Sequence, residues 1–294
     1  MSRAKISLAK LSYASQFGRA NPVTFVEKLR ASISARSSLL CIGLDPELNR
    51  LPAHLPRSAE GVVRFNREIV EATSDLVSSY KPNLAFYEAL GPPGLDALKK
   101  TVDLIPRDIV VIGDAKRGDI GNTARAYAAA LYDWFGFDAV TLSPYLGGDA
   151  LEPFLAYADR GILVLCRTSN PGAAEIQGLD VVEDGEVRPL YEVVARRARA
   201  WNTRGNVGLV VGATAPSELA RIREIAPDLP ILIPGIGAQG GDLRAAALAH
   251  CETAPVMVSS SRSILYASSG PDFASAARQA ATELRDALRA AQSG

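Results

Sequence analysis

The segment Asp114-Ala115-Lys116-Arg117-Gly118-Asp119 sets two carboxylates around one ammonium within six residues. Asp114 and Lys116 are two apart in an apolar, strand-like run, so on a strand their side chains leave the same face. Asp119 follows Gly118 just before a helical stretch, where it either caps that helix or reaches a neighbouring site. A lysine held among carboxylates in a water-poor pocket can stabilise a developing carbanion and deliver a proton to it. On an open surface the same D-x-K-x-x-D spacing makes only ordinary salt bridges. The elements that carry it therefore decide what it does.

A second chemical signal lies nearer the C-terminus. GIGAQGG, over 235–241, offers flexible backbone N–H groups, and Arg262 follows the last apolar run. A glycine-rich loop alone is most often a turn. Paired with a guanidinium that can grip two oxygens at once, it favours a phosphorylated ligand.

Eight short apolar runs recur along the chain, over 38–45, 79–86, 108–116, 139–144, 161–167, 207–213, 230–235 and 255–261. VVIG, ILVLC and PILIPG are continuously apolar instead of alternating, as expected of parallel strands covered on both faces. Helix-compatible stretches lie between them, over 61–78, 94–104, 122–135, 149–157, 189–204, 215–225, 241–250 and 272–291. Eight such units predict an α/β fold, a single-domain (β/α)8 TIM barrel, with the active site at the C-terminal ends of the strands. At that rim stand Asp45, Lys81 and the D-x-K-x-x-D segment. An extra helix over 23–35 is placed to close the barrel bottom. The long loop over 168–190 contains VVEDGEV, with Asp184-Gly185 between short apolar arms, which predicts a β-hairpin.

Composition excludes several other classes. Thirty-two basic residues balance 32 acidic ones, so no whole-molecule field draws nucleic acid or an anionic membrane. Arg196, Arg197, Arg199 and Arg204 read as a solvated helix face. His54 and His250 lack metal-ligand spacing, and no apolar stretch nears the roughly 20 residues that span a bilayer. Cys41, Cys166 and Cys251 are far apart, which fits a reduced, cytoplasmic protein. Residues 1–22 are expected to form an N-terminal arm ahead of a barrel domain over 23–294.

DAKRGDIGNTA, from Asp114 to Ala124, resembles the signature of the orotidine 5′-phosphate decarboxylases. The likeness extends over nearly the whole chain through CIGLDPE, YKPNLAFYEALG, TLSPYLGGDALEPF, RTSNPGAAEIQ, PGIGAQGGD and SSSRSIL, and is nearest the longer bacterial subgroup. It implies conversion of orotidine 5′-monophosphate to UMP and CO2 in de novo pyrimidine biosynthesis, with no cofactor and no metal. It also implies a catalytic tetrad of Lys81, Asp114, Lys116 and Asp119, with Lys116 the proton donor to C6. In such a family Asp119 and Thr123 act across the interface of a homodimer. Asp45 would hold the ribose, Ser169 the pyrimidine edge, and Gln239 and Arg262 the phosphate.

Two other readings share some of these features. A Mg2+-dependent sugar-phosphate decarboxylase or aldolase of the same superfamily also carries D-x-K-x-x-D, but needs a metal-binding carboxylate where this chain has Lys81; Glu88 is the nearest acid beyond it. A non-catalytic phosphate-ligand binder would not require alternating lysines and aspartates gathered in one mouth, an arrangement that is costly unless function uses it.

Overall fold

The computed structural model describes residues 23–236 and 240–293. The arm expected over 1–22, and Gln239, lie outside the described residues. Eight parallel strands close into a barrel: β1 (Leu40–Leu44), β2 (Ser79–Pro82), β3 (Val110–Arg117), β4 (Ala139–Leu142), β5 (Gly161–Arg167), β8 (Val207–Val211), β9 (Ile231–Pro234) and β10 (Val256–Ser260). Between β5 and β8 the chain makes the expected antiparallel hairpin of β6 (Asp180–Glu183) and β7 (Glu186–Pro189), with Asp184 and Gly185 both at positive φ in its turn.

Helices pack around the barrel: α1 (Phe25–Arg36), α2 (Ala59–Thr73), α3 (Leu84–Glu88), α4 (Pro92–Leu104), α5 (Gly121–Ala129), α6 (Glu152–Leu155), α7 (Ala174–Gln177), α8 (Leu190–Trp201), α9 (Pro216–Ile225), α10 (Leu243–Leu248), α11 (Arg262–Leu265) and α12 (Phe273–Ser293). None of the described helices is long and apolar enough to cross a membrane.

The strands bury both faces. Outward residues such as Ile42, Val111, Val140 and Val258 pack under the helices, while Cys41, Val110, Ile112, Leu163, Leu232 and Met257 fill the interior. Phe25 and Leu29 of α1 complete that inner cluster, so α1 closes the end opposite the C-terminal rim of the strands. Burying each such side chain contributes about 1.5–3 kcal/mol. A capping box starts α1: Thr24 Oγ1 accepts from Glu27 N–H, and Glu27 Oε2 accepts from Thr24 N–H at 2.8 Å. Lys28 then pairs with Asp138 at 2.6 Å at the foot of β4. Gly161 opens β5 because a Cβ there would come within 2.3 Å of the Phe25 ring.

Among the differences from the sequence expectation, three bear on the rim and its surroundings. The second run is a strand only to Pro82; Asn83 then accepts from Ala85 N–H and starts α3. The helix expected over 149–157 is a single turn, α6, bounded by Gly147 and Gly148 on one side and Ala156 on the other. The helix expected over 122–135 begins as α5 and finishes as a π turn over Ala130–Trp134, which carries Leu131 and Tyr132 inward.

Candidate active site

The rim gathers charge where β2 and β3 end. Lys81, the third residue of β2, sits opposite Gly43 of β1, and its ammonium reaches Asp114 Oδ2 at 2.9 Å. Lys116 Nζ reaches the other oxygen, Oδ1, at 2.6 Å. Lys81 and Asp114 are buried, whereas the Lys116 side chain is half exposed at the mouth. One carboxylate thus bridges two ammoniums.

The Asp114–Lys116 meeting arises differently from simple strand alternation. β3 bulges between Gly113 and Arg117, and Lys116 takes a left-handed backbone with φ 48°. Such a conformation in a non-glycine residue is strained and is retained where surroundings over-determine it. Thr141 of β4 is one such support: its Oγ1 donates to Asp114 Oδ1 at 3.0 Å and accepts from Lys116 N–H at 2.9 Å.

Burial alone would raise the Asp114 pKa, but the Lys81 and Lys116 ammoniums outweigh it and hold the carboxyl well below the usual range. Burial likewise acts to lower Lys81, and the Asp114 and Asp45 carboxylates overcome it, keeping the amine charged above the ordinary lysine value. Cys41 adds no charge beside them, since burial pushes its thiol up to about 11 despite Lys81.

Two adjoining hollows open over this array. One, of about 310 Å3, is lined by Asp45, Lys81, Asp114, Ser169, Gly235 and Arg262 among others. The other, of about 340 Å3, is lined by Lys81, Asp114, Lys116, Thr141 and Ser169, with Leu165, Val210 and Leu232 making an apolar wall. Lys81, Asp114, Ser169 and Pro234 border both, so they form one cleft. Asp45 is oriented by accepting from Asn83 N–H at 3.2 Å. Ser169 is held close to the backbone of Gly212, where any Cβ would come within 2.8 Å of it.

Of the nine residues singled out in the sequence, Asp45, Lys81, Asp114, Lys116, Ser169 and Arg262 meet around this cleft. Asp119 and Thr123 line neither hollow. Asp119 Oδ1 accepts from Ile120 N–H at 2.8 Å, a contact too local to cap α5, and Thr123 stands exposed on the first turn of that helix. Glu88 pairs with Arg117 outside the cleft and borders neither hollow. Among the described residues, no three His, Cys, Asp or Glu side chains converge as a metal site.

Sequence reasoning passed over Thr141 and the serines at the end of β10. Ser259, Ser260, Ser261 and Ser263 line the hollow beside Arg262. Thr141 left a signal: a hydroxyl in the fourth strand, AVTL, where both faces are covered, must find buried partners.

A closed parallel barrel with a lysine–aspartate–lysine array at its C-terminal rim defines a TIM-barrel enzyme. Comparison with known proteins narrows the class. The chain belongs to the orotidine 5′-phosphate decarboxylase / HUMPS family, whose model matches residues 38–279. It is 59% identical to the orotidine 5′-phosphate decarboxylase of Thermomicrobium roseum over 269 residues, covering 90% of this chain and 95% of that one. It is 55% identical to the protein of the same name from Herpetosiphon aurantiacus, covering 87% and 95%. Among solved structures, that of Leishmania donovani OMP decarboxylase matches with a TM-score of 0.80 at 39% identity, over 92% of this chain and 100% of that one.

Proposed function

We propose that this chain decarboxylates orotidine 5′-monophosphate to UMP, a step of pyrimidine biosynthesis, in the cytoplasm and without metal or cofactor. The observation that carries the reading is the bridge Lys81–Asp114–Lys116 in a cleft whose other end presents Arg262. Loss of CO2 breaks the bond from C6 to the carboxylate and leaves the electron pair on C6, with no adjacent carbonyl to delocalise it. The site must therefore stabilise that charge in place. The Lys116 ammonium does so and then transfers a proton to C6, so that substrate and one proton give UMP and CO2.

Asp114 faces the departing carboxylate, and the repulsion between them falls as CO2 leaves. Lys81 keeps Asp114 ionised and limits the net charge of the array. Arg262, the serines of β10 and the backbone near Gly235 hold the phosphate, Gln239 joining them. Asp45 holds the ribose, and Ser169 the pyrimidine edge. Lys81 stands where a metal-dependent relative needs a carboxylate, and an ammonium there opposes a divalent cation.

The reading includes a homodimer in which Asp119 and Thr123 serve the partner's cleft. Exposed apolar side chains flank Asp119: Ile120, Tyr127, Tyr145 and Leu146, with Tyr145 88% exposed. Ile120 immediately precedes α5, Tyr127 stands on that helix, and Leu146 lies beside Gly118. Such a patch on a single chain suits a self-complementary interface.

The test follows orotidine monophosphate absorbance with purified protein in excess EDTA. Wild type depletes the nucleotide, and Lys116→Ala loses about 1,000-fold or more of the turnover while still binding UMP. A strict Mg2+ requirement would move the protein to the sugar-phosphate reading, and binding without turnover would make it a ligand-binding barrel.

A further inference from the structure

The bulge that turns Lys116 toward Asp114 has one counterpart on the neighbouring strand. Gly113 pairs with Val140 and Arg117 with Leu142, so Asp114, Ala115 and Lys116 all stand opposite Thr141. Regular pairing cannot satisfy the Lys116 N–H across this irregularity, and Thr141 Oγ1 accepts it at 2.9 Å. The same hydroxyl spends its one proton on Asp114 Oδ1, at 3.0 Å, the oxygen that also receives Lys116 Nζ at 2.6 Å. Thr141 is 1% exposed, so water offers no substitute for either bond.

We infer that Thr141 is a positioning residue for the decarboxylation proposed above, on which this inference rests. Its single hydroxyl ties the main chain of Lys116 and the carboxylate of Asp114 to one atom. The distance between proton donor and carboxylate is then set by β4, a strand that carries none of the four charged residues. With the hydroxyl removed, the Lys116 N–H loses its acceptor, the left-handed turn loses a constraint and the ammonium is free to drift from its line to C6. Displacements on the scale of 1 Å at a reacting centre cost roughly 100-fold in rate.

Thr141→Val keeps the shape and deletes both hydrogen bonds, whereas Thr141→Ser keeps the hydroxyl and loses only a methyl. We expect kcat of Thr141→Val to fall roughly 10- to 100-fold with KM changed less than about threefold, and Thr141→Ser to recover most of the loss. Should the Val variant fail to fold, Thr141→Ala against Thr141→Ser reads the same contrast, because those two differ by the hydroxyl alone. A Val variant with undiminished kcat overturns the inference, as does a Ser variant that falls as far as Val, or a change confined to KM. A wild-type chain inert toward orotidine monophosphate would overturn the parent reading and this one with it. An active wild type beside an unimpaired Val variant overturns only the role of Thr141.

Discussion

Lys81 Nζ and Asp114 Oδ2 lie 2.9 Å apart with both side chains about nine-tenths buried, so neither charge can turn to water if the other is removed. Asp114 has a pKa held below the ordinary carboxylate value, and Lys81 one held above the ordinary lysine value. The depressed carboxyl contributes stability that is fully present above its unfolded value of about 3.9 and is lost as pH falls toward the folded one. The raised amine contributes stability that is fully present below about 10.4 and is lost as pH rises through its folded value.

Asp114→Asn should therefore lower the unfolding free energy by about 3 kcal/mol near neutral pH, since it strands a buried ammonium. Denaturant titrations of wild type and variant should give a constant gap from about pH 5 to about pH 9 that narrows on either side. A gap that ignores pH would mean that the ion pair is not its source.

How much of this was legible in the sequence depends on the element. The eight strands were, because a strand covered on both faces must be apolar throughout, and VVIG or ILVLC admits few alternatives. Leu84-Ala85-Phe86 continues the apolar run beyond Pro82, yet Asn83 caps it into α3; periodicity cannot separate so short a helix from a strand. The nearness of Asp114 and Lys116 was legible through alternation, but the structure reaches it through a bulge that no local residue announces. Thr141 went unread because its role is set by its register against β3, which is a tertiary fact. The positions of Asp119 and Thr123 outside their own cleft follow from where α5 begins, beyond the reach of spacing alone.

Arg262→Ala should weaken capture of the nucleotide far more than of the nucleoside lacking its phosphate. A guanidinium–phosphate contact contributes about 1.5–3 kcal/mol, so kcat/KM for the nucleotide should fall roughly 10- to 100-fold. Part of the loss should appear in kcat, because remote phosphate binding can drive closure of the rim loops. Steady-state kinetics on both substrates check this, and equal losses would show that Arg262 does not grip the phosphate.

Mixing inactive Lys116→Ala with inactive Asp119→Ala addresses the shared site. If Asp119 serves the partner, each heterodimer has one cleft with both lesions and one with neither, and random pairing of equal amounts restores about a quarter of wild-type activity. If Asp119 serves its own barrel, every cleft keeps one lesion and the mixture stays inactive. Turnover of the mixture, followed after slow subunit exchange, separates the two outcomes.

The placement of Phe25 and Leu29 makes the barrel a one-ended vessel. With its floor sealed by α1, the proposed reaction has a single doorway for traffic in both directions. Newly formed CO2 would then leave through the rim, by way of the hollows over the Lys81–Asp114–Lys116 array. Residence of the gas beside C6, and with it the chance of recapture before protonation, would then be set by escape through that rim and not by any passage through the packed core.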